Sequence, residues 1–183
     1  VERDAALALV RERVPNANLV NHCVAAEIIM EAIARHFGLS DEDVAKWGLA
    51  GLLHDLDYAD TAEDPARHAR IAADELSGVV DAEVVHAILA HAGHVPCETR
   101  MDRALYAADP LTGFIVAAAL VRPDKSLAGV ELRSLKKRWN ERAFARGACR
   151  DQMDTCESLG IERDEFLGIA LHAMRERAHE IGL

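Results

Sequence analysis

The chain has 183 residues, half of them apolar, with 4% aromatics and a net charge of −10. That apolar share excludes a disordered chain and is enough for one hydrophobic core. Few aromatics disfavour sheet, and the acidic balance excludes general nucleic-acid binding, which needs a basic surface.

Glu2 to Arg13 carries a short helical pattern that Pro15 stops. From Leu19 to Phe37 apolar residues recur at helical spacing, and Gly38 is a C-terminal stop. Ser40, with Asp43 three residues on, resembles a capping box and opens a helix predicted over Asp41 to Leu56. Its later turns, WGLAGLLHDLDY, are apolar on nearly every face, which predicts a central, buried helix. Asp57 to Pro65 reads as a polar loop. Asp64-Pro65 supplies a cap and a first-turn proline for a helix ending near Gly78. Asp81 to Ala92 is a further helix, followed by the loop HAGHVPCETR. Met101 to Ala108 and Pro110 to Leu120 read as two helical pieces divided at the proline. Pro123 is another break, and from Val130 to the end two or three helices are punctuated by Gly147 and Gly160. No segment alternates with period two. The prediction is one all-α domain over residues 1–183, a bundle of about eight or more helices.

Charge is unevenly spread. Val121 to Arg150 holds nine Lys or Arg against three Asp or Glu, a local +6 that leaves −16 elsewhere. Such a segment suits an anionic ligand, or a solvated face paired with acidic neighbours. The four cysteines, Cys23, Cys97, Cys149 and Cys156, form no C-x-x-C pair, so neither a zinc ribbon nor a redox motif is indicated. No signal peptide opens the sequence, and no apolar run reaches the roughly 18 residues of a membrane span, so a soluble cytoplasmic protein is expected.

The chemistry concentrates in buried settings. His54-Asp55 closes the apolar run AGLLHD, where an unpaired carboxylate is expensive. A divalent metal satisfies Asp and neutral imidazole together. His22 opens the long amphipathic helix NHCVAAEIIMEAIA, and Asp109 ends ALYAAD. Helical bundles build metal sites from such inward-facing residues on several helices. Cys23, Trp47 and Trp139 read as packing residues, His36 as a helix-end charge, and His172 and His179 as surface residues.

The ordered set His22, His54-Asp55 and Asp109, with the strings AGLLHD and ALYAADPLTG, resembles the H…HD…D signature of the HD superfamily of metal-dependent phosphohydrolases. DPARHARIAADEL and VVHAILAHAG are similar to the helix pair that supplies further histidines in two-metal members. The resemblance covers Asn18 to Gly113, leaving residues 114–183 as C-terminal helices packed on that core. It implies that His22, His54, Asp55 and Asp109 hold one divalent ion (Mn, Fe, Co, Ni or Zn), and that His68 and His91 hold a second where there is one. His86 and His94 would complete a surrounding shell. His86 and His91 lie five residues apart on one helix and so do not share a face, which favours His91 as the donor.

The implied reaction is hydrolysis of a small phosphate ester, a nucleotide or related phosphometabolite. A bound ion lowers the pKa of its water from near 16 to about 7, and the hydroxide attacks phosphorus. Where many members read HDIGK, this chain reads HDLDY. The basic group is therefore sought elsewhere, at Lys125 or in the substrate-binding run Lys136, Lys137 and Arg138. Asp57 is expected to orient water or relay a proton, or else to cap a loop. Two other readings stay open: a non-catalytic module fastened by its metal, and a di-iron oxygenase on the same scaffold. The expected partner is a small phosphorylated substrate, with no specific nucleic acid and no membrane. Oligomeric state is left open.

Overall fold

The computed structural model describes residues 1–183 as an all-α bundle with no strand. Its helices are α1 (Arg3–Arg13), α2 (Ala17–His36), α3 (Asp41–Leu53), α4 (Tyr58–Thr61), α5 (Arg70–Leu76), α6 (Ala82–His91), α7 (Arg100–Leu120), α8 (Leu132–Trp139), α9 (Arg150–Asp154) and α10 (Arg163–Glu176). One contiguous core of 48 buried residues runs from Ala6 to Ile181.

Helix starts follow local chemistry. The side chains of Asn16, Ser40 and Asp81 accept backbone N–H groups at the openings of α2, α3 and α6. Thr99 and Asp102 form a full capping box on α7. Gly38, in the left-handed region at φ 68°, reverses the chain after α2.

Two of the departures from sequence expectation come from contacts between remote residues. The helix expected from Asp64-Pro65 begins only at Arg70, because Ala69 adopts φ 64° and the Asp57 carboxylate takes the N–H groups of Ala69 and Ala72. Asp57 thus caps α5 from outside it. The region expected as two pieces around Pro110 is one helix, α7. A helical proline leaves the carbonyl four residues earlier without its donor. Here that carbonyl, on Tyr106, accepts instead from Gln152 Nε2 at 2.8 Å. The polar loop expected after Asp57 also contains the single turn α4.

α2 and α3 form the most extensive helix pair, and α7 and α6 pack beside them. α2 and α7 are long and apolar enough to cross a bilayer by length and composition alone. In each, 56% of the apolar window is buried within the fold, the pattern of a core helix. Trp47, Trp139 and Cys23 are buried packing residues as expected, while all four cysteines are free thiols.

Candidate metal centre

Gly51 lets α2 and α3 touch backbone to backbone. A Cβ there would lie 2.6 Å from the carbonyl carbon of Ala26. One turn beyond this contact on each helix, His54 and His22 meet with Nε2 atoms 3.1 Å apart. His91 ends α6 and His68 lies in the turn before α5, and their Nε2 atoms are 3.2 Å apart. Asp55 sits between the two pairs. Its Oδ2 is 3.4 Å from His22 Nε2. Its Oδ1 is 3.3 Å from His68 Nε2, 3.5 Å from His54 Nε2 and 3.7 Å from His91 Nε2. Asp109, from α7, places Oδ1 3.2 Å from His22 Nε2 and 3.7 Å from His54 Nε2.

The far side of every ring is pinned. His54 Nδ1 lies 2.8 Å from the Gly51 carbonyl, and His91 Nδ1 lies 2.5 Å from the Ile88 carbonyl. A carbonyl only accepts, so both rings carry their proton on Nδ1 and turn Nε2 inward. His68 Nδ1 donates to Asp57 Oδ1 at 3.1 Å. His22 Nδ1 meets Thr112 Oγ1 at 2.7 Å, and that hydroxyl donates to the Asp109 carbonyl at 2.7 Å. The hydroxyl must then accept from His22. Anchoring of this kind is what orients metal-binding imidazoles.

Facing Nε2 lone pairs repel unless a proton or a metal ion lies between them. Two ligands at ~2.1 Å from one ion, at 90–110°, sit roughly 3.0–3.4 Å apart. The two observed Nε2 separations, 3.1 and 3.2 Å, fall in that span. The triads His22–His54–Asp55, His54–His91–Asp109 and Asp55–His68–His91 each bring their donor atoms within 4.8 Å of one another. The donor set therefore fits a divalent cation, with Asp55 shared between two triads.

Electrostatics agree. Burial pushes the Asp55 carboxyl up, but the imidazoles of His54, His22, His68 and His91 override it and hold it well below the usual range. Asp109 is likewise lowered, with burial opposed by His22 and His54. Burial works against a charged His22, yet Asp109 and Asp55 raise its pKa to about 10. His68, opposed by burial but drawn by Asp55 and Asp57, rises to about 9. The cluster holds two ionised carboxylates in a buried setting, and positive charge balances them, from protonated imidazoles or from a bound cation.

A family model for the HD domain matches residues 19–114, 96 of the 183 residues. The chain belongs to the HD domain family. No curated protein and no solved structure matches it. His22, His54, Asp55, His68, His91 and Asp109 all lie inside the matched part of this HD domain.

The other residues singled out in the sequence are placed around and away from the cluster. Asp57 is fully buried, and its oxygens accept from Ala69 N–H, Ala72 N–H and His68 Nδ1, so it holds one ring of the cluster. Lys125 is exposed in the turn after α7. That helix runs 11 residues past Asp109, about 16 Å at 1.5 Å per residue. Leu135 and Trp139 bury one face of α8, which turns Lys136, Lys137 and Arg138 elsewhere. Lys136 pairs with Asp164 at 2.6 Å, and Arg138 stacks on Phe144. None of these four lines the cleft at the cluster. Of the two shell histidines, His94 holds the His68 carbonyl at 2.6 Å, whereas His86 lies beside Asp102. His36 ends α2, and His172 is exposed.

Thr112 was not legible as a site residue, although its position one turn after Asp109 is the available signal. Thr112→Val keeps the shape but strands the His22 N–H. It is expected to weaken divalent-ion binding roughly 10–100-fold, read by competition with a chromogenic chelator. Unchanged affinity would show the Thr112 hydroxyl to be dispensable.

Proposed function

We propose that this HD domain hydrolyses a small phosphate ester, a nucleotide or related phosphometabolite, with divalent metal held by His22, His54, Asp55 and Asp109. His68 and His91 hold a second ion against the shared Asp55 carboxylate. The carrying observation is the convergence of four Nδ1-anchored imidazoles and two carboxylates, with one side of the cluster open. A cleft of about 300 Å³ is bordered by His22 and Asp109, whose side chains keep 22% and 28% exposure. Closed ligand sets serve structure, whereas catalytic sites keep an accessible position. That opening favours an enzyme over a metal-fastened module.

When bound, the ions supply Lewis acidity and a water of lowered pKa. The chain's own residues do the rest. Asp57, Thr112 and the Gly51 and Ile88 carbonyls fix the rings in one tautomer. Gly113, Ala117, Ala145 and Gly147 keep the cleft walls low, leaving room for a phosphoryl group beside Asp109. The cleft volume sits at the lower end for small-molecule sites, which suits a compact substrate.

The test is turnover of a nucleotide panel by protein loaded with Mn, Co or Ni, beside His54→Ala. Phosphate release that disappears in the variant is expected. Two irons per chain with no hydrolysis under any metal would favour the oxygenase reading and overturn this one.

A further inference from the structure

Residues 140–149 border two clefts. Ala145, Gly147 and Ala148 wall the one that contains His22 and Asp109. The other is a cleft of about 370 Å³ bordered by Asn140, Arg142, Arg146 and Arg150, with Ala148 lining both. Asp151 and Asp154 also border this second cleft; Asp154 pairs with Arg163 at 2.6 Å, which leaves one carboxylate, Asp151, facing three arginines there. Arg142 and Arg146 are exposed and have no carboxylate within ion-pair distance and no hydrogen bond. The segment lies outside the part of the chain matched by the family model.

This segment is held in shape at a cost. Ala145 adopts φ 44°, a left-handed conformation that alanine disfavours. Arg150 fastens it: Nη1 donates to the Ala145 and Ala148 carbonyls at 2.9 and 2.8 Å, and Nη2 to Phe144 at 2.7 Å. The guanidinium stacks over Phe114, 4.5 Å from the ring centre. Burial lowers the Arg150 pKa, and no carboxylate compensates. Strained backbone maintained by a partly desolvated cation marks a surface whose shape is used. Arg142 and Arg146 thus border a cleft that shares Ala148 with the one at the metal cluster, with their charge unspent.

We propose that Arg142 and Arg146 form a second anion subsite, so that the preferred substrate carries two separated phosphates. One phosphate lies at the His/Asp cluster, and the other reaches past Ala148, common to both clefts, to the two guanidinium groups. Arginine suits this role because its planar fork matches phosphate oxygens. The assignment rests on the phosphohydrolase reading for the reacting phosphate, but the subsite itself is testable without turnover.

The experiment measures binding of inorganic phosphate to the full chain by calorimetry with metal chelated. The R142A/R146A double variant is compared with K136A/K137A, which removes the same charge from α8. At least tenfold weaker binding in R142A/R146A alone is expected. Equal weakening in both variants, or none in R142A/R146A, overturns the subsite. In parallel, the kcat/KM preference for adenosine 3′,5′-bisphosphate over adenosine 5′-monophosphate is expected to fall at least tenfold in R142A/R146A. A preserved preference also overturns the proposal. Phosphate binding lost in R142A/R146A, with no hydrolysis by wild type under any metal, keeps the subsite and removes the phosphohydrolase reading instead.

Discussion

Asp55→Asn is expected to lower kcat/KM by a factor on the order of 10³ or more, with bound metal falling in parallel and the helical circular dichroism retained. No other side chain faces as many of the cluster's donors. One carboxylate oxygen points to His22, and the other to His54, His68 and His91. The amide keeps the size but loses the negative charge that the four imidazoles share, and it can accept through only one oxygen. Both triads containing Asp55 are affected together. The effect should therefore exceed that of Thr112→Val, which disturbs one ring. Near-wild-type turnover in Asp55→Asn, with metal retained, would remove Asp55 from the centre.

The second large effect is structural. Gly51→Ala is expected to destabilise the protein by about 3 kcal/mol or more, a large part of the 5–15 kcal/mol typical of folded chains. The added Cβ would lie 2.6 Å from the Ala26 carbonyl group and 2.7 Å from Glu27 N. Those atoms are backbone in the middle of a buried helix, so only separation of α2 from α3 relieves the clash. That separation also pulls His22 from His54, and the Gly51 carbonyl that anchors His54 moves with it. Thermal unfolding is expected to drop by about 6–12 °C at this chain length, with loss of metal binding. Gly48→Ala meets only the Glu31 side chain and should cost less, and Gly113→Ala meets nothing within 4 Å and should be neutral or stabilising. Equal effects at all three glycines would contradict a special close approach at Gly51.

The metal donors were readable because the chemistry is local and out of place. His22, His54, Asp55 and Asp109 are polar residues set into apolar helical runs, and burial of such groups calls for a partner. Helical rotation put His86 and His91 on different faces, and the family resemblance picked His91. What was not readable depends on contacts between remote segments. Nothing near Asp64-Pro65 reveals that Asp57 will claim the N–H groups of Ala69 and Ala72 and delay α5. Nothing near Pro110 reveals that Gln152, 46 residues after Tyr106, will satisfy the carbonyl the proline frees. The same holds for the basic segment. Its net charge was visible, but not that Leu135 and Trp139 would bury one face of α8, nor that Arg150 would fasten the carbonyls of Phe144, Ala145 and Ala148 in the segment that carries Arg142 and Arg146.

The most direct measurement is anomalous diffraction from crystals of the full chain grown with Mn(II). A strong peak is expected among His22, His54, Asp55 and Asp109, with a second between His68, His91 and Asp55. Manganese found only at surface carboxylates, with the six cluster side chains still holding one another through protons, would contradict the metal centre on which the proposed chemistry depends.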